Sequence, residues 1–158
     1  MILTAQEEYG LRCALSLARV SPEESLTLPQ IAEAEGLTTA YAGKLMRLLV
    51  QAGLVESTRG RTGGYSLTGE PASITVAAIV GPLGGPFYDG EICSRSASAS
   101  DLCVHNNDCA VRSVWSGLQG MIDQYLGQVT LSDLVNDEAT MDRTMSEIRD
   151  RVVVQEGS

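Results

Sequence analysis

A chain of 158 residues, 44% hydrophobic and 20% charged, suits one compact domain or a small domain with an appendage. No apolar run approaches the roughly 20 residues of a membrane helix, and no basic segment precedes an apolar one at the N-terminus, so neither a membrane span nor an export signal is visible and a cytoplasmic protein is expected. The net charge of −9 argues against nucleic acid, yet between residues 40 and 65 Lys44, Arg47, Arg59 and Arg61 face Glu56 alone.

In chain order, residues 5 to about 20 predict an amphipathic helix, with Tyr9, Cys13, Leu17 and Val20 at helical spacing. Thr27, Pro29 and Gln30 form the start signal of a second, short helix, and Gly36 closes it. The third helix starts at Thr38 or Thr39 and ends at Gly53, with Tyr41, Leu45, Leu48, Leu49 and Ala52 as its apolar stripe. Two short helices joined by a tight glycine turn make a helix-turn-helix. Strands over Leu54 to Thr58 and Tyr65 to Leu67, joined by a Gly/Arg tip, make a hairpin. The expected fold is therefore mainly α with a small β-hairpin wing: a winged helix-turn-helix domain over residues 1–80.

A short helix with Pro/Gly punctuation ends that domain, and a polar loop over 81–108 follows. Residues 109–138 predict a long helix, with Val111, Val114, Trp115, Leu118, Ile122, Tyr125 and Leu126 on one face, and a short C-terminal helix. An apolar stripe outside the compact domain needs a partner, and a second copy of the same helix gives a symmetric homodimer. Residues 139–158 have weak periodicity and many charges and are expected to fray.

Two sets of residues carry chemistry. In a helix-turn-helix the N-terminal residues of the second helix face base edges in the major groove. Thr39, Ala40, Gly43, Lys44 and Arg47 lie off the apolar stripe. Threonine hydroxyls bond bases or phosphates, Lys44 reaches a guanine edge or a phosphate, and Arg47 grips the backbone. Gly43 costs about 1 kcal/mol relative to Ala in mid-helix, which close approach to DNA would explain. Arg59, Gly60 and Arg61 at the wing tip fit a narrow minor groove. With Thr38 and Tyr41, these are the candidate DNA-contacting residues.

The second set is Cys93, Cys103 and Cys109, in a Ser/Ala/Asp/Asn run that can bury little. In a reducing compartment, thiols so placed are metal ligands or redox groups rather than disulfides. The gaps of nine and five residues contain no close ligand pair of the kind a one-loop zinc site uses. Iron–sulfur clusters accept looser spacings. Spacing alone leaves a cluster, zinc, and redox or inert thiols open. A fourth ligand comes from His105, or from Glu7 or Glu8 on the first helix, while Cys13 reads as a packed small hydrophobe. A Cys103–His105 nucleophile lacks the held geometry and pocket that catalysis needs, so the chain is read as no enzyme, with no small-molecule substrate.

The segments "LTAQEEYGLRCALSLA" and "IAEAEGLTTAYAGKLMRLLVQAGLVESTRGRTGGYSL", with the three-cysteine loop leading into "VWSGL", resemble the iron–sulfur-binding branch of the Rrf2 family of bacterial transcription regulators. The resemblance spans residues 1 to about 136. It implies a homodimer on a palindromic double-stranded operator, with a [2Fe–2S] or [4Fe–4S] cluster held by Cys93, Cys103 and Cys109. In such members the fourth ligand is a histidine three residues after the last cysteine or an acidic residue near the start of the partner's first helix. Arg112 closes the first option here, and Glu8 stands at the second, which ranks it above His105. The gap of nine is longer than the family's usual five, and Gly43 replaces a larger polar residue, so neither cluster type nor operator preference carries over. The alternative is a winged-helix repressor with structural zinc or a cysteine thiol switch and no cluster; the same dimer with no cofactor at all is a further reading.

Overall fold

The structure is a computed structural model that describes residues 3–60, 63–91 and 108–155. Its elements in chain order are α1 (Ala5–Ala18), α2 (Leu28–Ala34), α3 (Thr39–Gln51), β1 (Val55–Thr58), β2 (Gly64–Leu67), a 3-10 turn (Pro71–Ser73), α4 (Val76–Gly84), α5 (Ala110–Leu126), α6 (Leu131–Leu134) and α7 (Glu138–Gln155).

The helix starts follow from side-chain caps. Thr4 and Glu7 form a capping box on α1, and Thr27 and Gln30 form one on α2, each satisfying two otherwise orphaned groups. Thr38 caps α3, its hydroxyl accepting from the Tyr41 amide at 3.2 Å. Gly36 (φ 65°) and Gly53 (φ 73°) turn the chain out of α2 and α3 through the left-handed region that side chains resist. The wing is antiparallel, with Val55 opposite Leu67 and Thr58 opposite Gly64. Leu26 and Tyr65 exchange two further backbone bonds, of 3.0 and 2.8 Å, so the residue before the Thr27 cap extends the hairpin by one strand position. That bridge fixes the wing beside the helix-turn-helix.

The head's core gathers Cys13, Leu17, Ile31, Leu45, Met46, Leu49, Val55, Ile79 and Leu83. The buried face of α3 is Ala42, Leu45, Met46 and Leu49. Tyr41 and Leu48 are only half-buried and Ala52 is exposed, so the stripe lies one turn earlier than the sequence expectation. α1 and α4 interlock through small residues: a Cβ on Gly10 would run into Leu83, and one on Gly84 into the Glu7 carboxylate. Gln6 ties the same pair by donating to the Leu83 carbonyl.

The chain returns to the head after α5. The Val76 amide donates to the Val129 carbonyl at 2.8 Å, and the Leu131 amide to the Ile74 carbonyl at 2.9 Å. A second apolar cluster forms there from Val76, Val129, Ile148 and Val152, with Leu11, Val80, Tyr125, Leu126, Leu134, Met141 and Met145 around it. The frayed tail expected over 139–158 is corrected by this: Glu138–Gln155 is an 18-residue helix with Ile148 and Val152 buried at 1% and 3% exposure. Met141, Met145, Ile148 and Val152 follow a 4-3-4 spacing that brings one narrow stripe to the cluster.

The long helix is otherwise bare. None of its residues is fully buried. Val111 and Val114 are each 61% exposed and Trp115 42%, with Leu118 and Met121 also exposed. The expected continuous stripe is thus divided: Tyr125 and Leu126 face the second cluster, and the N-terminal half stays open. None of the helices is long and apolar enough to cross a membrane among the described residues.

Candidate nucleic-acid interface and cluster site

The reading face grows from α3. Burying Ala42, Leu45, Met46 and Leu49 leaves Thr38, Thr39, Ala40, Lys44 and Arg47 exposed on the opposite side. Tyr41 is half-buried, with its ring edge-on to Tyr9 at 6.3 Å between centroids and 79° between planes. Its packing onto α1 gives it a structural role at the start of α3.

Gly43 has a different explanation from the one the sequence suggests. A Cβ there would lie 3.2 Å from Leu28 Cδ2, so the absent side chain lets α2 and α3 pack closely inside the helix-turn-helix. At the wing, Arg59 is exposed and Gly60 adopts φ 115°, a conformation that favours glycine at the tip. A Cβ on Gly63 would collide with the Thr58 carbonyl, which forces the tight return into β2. Arg61 lies outside the described residues. Cationic Lys44 and Arg47 on the helix, with Arg59 on the wing, make a face suited to a polyanion on a molecule that is acidic overall.

The cysteine-bearing segment is framed by α5 at both ends. Ahead of it, Phe87 packs edge-on to Trp115 at 6.2 Å, and the Tyr88 amide donates to Gln119 Oε1 at 2.8 Å. Behind it, Cys109 occupies the N-cap position of α5, half-buried and free of any disulfide. Cys93, Cys103 and His105 lie outside the described residues.

Glu8 sits on α1 with its side chain 40% exposed. Its Oε1 accepts from Arg12 Nε at 2.8 Å and lies 2.7 Å from the second guanidinium nitrogen. The Arg12 guanidinium also stands 5.7 Å from the centre of the Tyr9 ring. Glu8, Arg12, Tyr9 and Tyr41 are therefore in serial contact from the first turn of α1 to the first turn of α3. Glu7 is committed elsewhere, to the Thr4 capping box and to packing on Gly84. Cys13 is fully buried, and burial, aided by the Glu35 charge, pushes its thiol up to about 12. It stays protonated at physiological pH, which suits a packing role and not a metal ligand.

Half-exposed Cys109 and accessible Glu8 are chemically fit to ligate iron, one as a soft thiolate and the other as a weaker oxygen donor. A groove of about 820 Å³ lies between the start of α1, the end of α4 and α5, lined mainly by apolar groups such as Leu3, Val80, Phe87, Ile122 and Leu126.

Comparison with known proteins follows the same outline. The model of the Rrf2 family, described as an iron-dependent transcriptional regulator, matches residues 3–137. The regulator IscR of Yersinia pseudotuberculosis is 29% identical over 138 residues, covering 87% of this chain and 81% of that one. The structure of CymR, the global cysteine regulator of B. subtilis, matches with a TM-score of 0.67 and 30% identity, over 87% of this chain and 99% of its own. That of T. potens IscR matches with a TM-score of 0.63 and 31% identity, over 85% and 86%.

Proposed function

This chain belongs to the Rrf2 family of transcriptional regulators, and we propose that it acts as a cytoplasmic homodimer whose operator binding is controlled by an iron–sulfur cluster. The observation that carries the reading is the joint placement of an exposed cationic face on α3 and the wing with a free, half-exposed Cys109 at the head of a helix whose Val111, Val114 and Leu118 are exposed. The likeness to IscR proteins supports the cluster.

In this proposal Thr38, Thr39, Tyr41, Lys44, Arg47, Arg59, Gly60 and Arg61 form the contact set on DNA. Tyr41 contributes by setting the pitch of α3 through Tyr9. Cys93, Cys103 and Cys109 hold the cluster, [2Fe–2S] or [4Fe–4S], with Glu8 of the partner subunit as fourth ligand and His105 as the runner-up. When bound, the cluster supplies a centre that oxidants, nitric oxide or iron shortage can open. A carboxylate binds iron less tightly than a thiolate, so Glu8 would be the weakest of the four ligands. A Glu8 not engaged by the cluster would keep the Arg12 pairing seen in this chain, which connects through Tyr9 and Tyr41 to the start of α3. Two heads matched to half-sites about 34 Å apart lose register after a small rotation.

The experiment is Glu8→Ala in anaerobically loaded protein. Visible absorbance should bleach in air about tenfold faster than wild type or more, in line with the losses that ligand-environment changes cause. Bleaching at the wild-type rate removes Glu8 from the site. The likeness to the cysteine regulator supports a second reading, in which the loop thiols bind structural zinc or switch by oxidation, with no cluster.

A further inference from the structure

The family match ends at residue 137, and α7 begins at Glu138. The B. subtilis regulator is covered over 99% of its length by 87% of this chain. Yet α7 is not surplus surface. Its Ile148 and Val152 are among the four buried members of the second cluster, with Met141 and Met145 beside them. What they cover comes from Leu11 on α1, Val76 and Val80 on α4, Tyr125 and Leu126 at the C-terminal end of α5, and Val129 and Leu134 just after it. Leu11 also packs against the head's own core, so the cluster is continuous with the DNA-reading unit. α5 has no fully buried residue of its own, and the Val76–Val129 and Leu131–Ile74 bonds tie only the segment that follows it. Ahead of its C-terminal end α5 is held by Phe87 on Trp115 and by the Tyr88 amide on Gln119, and α7 closes over that end itself.

We propose that α7, which follows the segment matched by the family, is a strap that locks the C-terminal end of α5 onto the head and thereby fixes the angle between the pairing helix and the reading face. In a dimer joined through α5, that angle sets the distance between the two heads. This step rests on the proposed DNA-binding dimer. Rigidity follows from packing: apolar groups of α1, α4, α5 and the segment after it close on one stripe, so rotating α5 would pull Tyr125 and Leu126 out of the cluster.

The test uses the full chain with Ile148→Glu and Val152→Glu together, and Ile148→Ala as a milder variant. Wild-type operator is obtained by selection from random DNA and then re-spaced by one and two base pairs. Two linked heads gain about 10²-fold in affinity only where geometry lets both engage, so wild type should favour one spacing by about that factor. The double variant should keep the dimer mass and the hydrogen-exchange protection of α1 to α3. It should lose protection over residues 122–155, and its spacing preference should fall below about tenfold. Ile148→Ala should move both readouts part of the way. A detached α7 with unchanged spacing preference overturns the strap, as does loss of protection in α1 to α3 by Ile148→Ala, which would make α7 part of the head's core. A wild-type monomer, or one selecting no paired site, instead brings down the underlying dimer reading.

Discussion

Replacing Val114 and Leu118 by aspartate should leave a folded monomer that binds the operator about 10² to 10⁴ times more weakly than wild type. Both side chains are exposed on the same face of α5, beside Val111, Trp115 and Met121. An apolar patch of this kind on a regular helix is covered in a working assembly. In a pair of α5 helices each aspartate becomes a buried, unpaired charge, which the interface cannot accommodate. In the isolated chain both positions face solvent, so the fold is unaffected. The weaker affinity comes from unlinking the two heads, with every DNA-facing residue still in place. Sedimentation gives the mass and a gel shift gives the affinity. A variant that stays dimeric shows that α5 pairs through another face.

The second large effect is electrostatic. Lys44→Ala and Arg47→Ala should each weaken operator binding, and the slope of log affinity against log salt should shrink by about 0.9 for each phosphate no longer neutralised. Each substitution acts twice in a dimer. Arg47 is read as gripping the DNA backbone, so Arg47→Ala lowers affinity for all sequences alike. Lys44, one turn nearer the start of α3, distinguishes two roles. If it meets a guanine edge, Lys44→Ala costs about 1–3 kcal/mol at that base pair and relaxes the preference there. If it meets a phosphate, sequence preference is unchanged. Neither residue lies in the core, so thermal stability should stay at the wild-type value. An unchanged salt slope in the double variant removes α3 from the interface.

The helix-turn-helix was legible because its signals are local. Thr27, Gln30, Gly36, Thr38 and Gly53 act within one or two turns of themselves, and each does in the structure what its chemistry implies. Burial phase was less legible. Ala42 and Met46 replace Ala52 on the α3 stripe because α1 and α4 press on the middle of the helix, which periodicity alone does not reveal. The packing reason for Gly43 was hidden for a related reason: the neighbour a side chain would crowd is Leu28, fifteen residues away in sequence.

α7 was missed although its stripe is present. Met141, Met145, Ile148 and Val152 are spaced for a helix, but acidic and basic residues surround them and their partners lie at Val76 and Val129. The Leu26–Tyr65 bridge was missed because one residue gives no strand signal. Of the proposed cluster ligands, Cys109 and Glu8 lie among the described residues, and the Glu8–Arg12 pairing is an i to i+4 contact that the sequence already contains.

The central claim is that the loop thiols hold an iron–sulfur cluster. Its most direct test is the visible absorption spectrum of anaerobically purified protein, with iron and acid-labile sulfide counted on the same sample. The proposal predicts a brown protein with visible bands and iron matched to sulfide, both abolished in Cys109→Ala. A colourless protein that binds zinc or no metal, and stays colourless after anaerobic reconstitution, would contradict it.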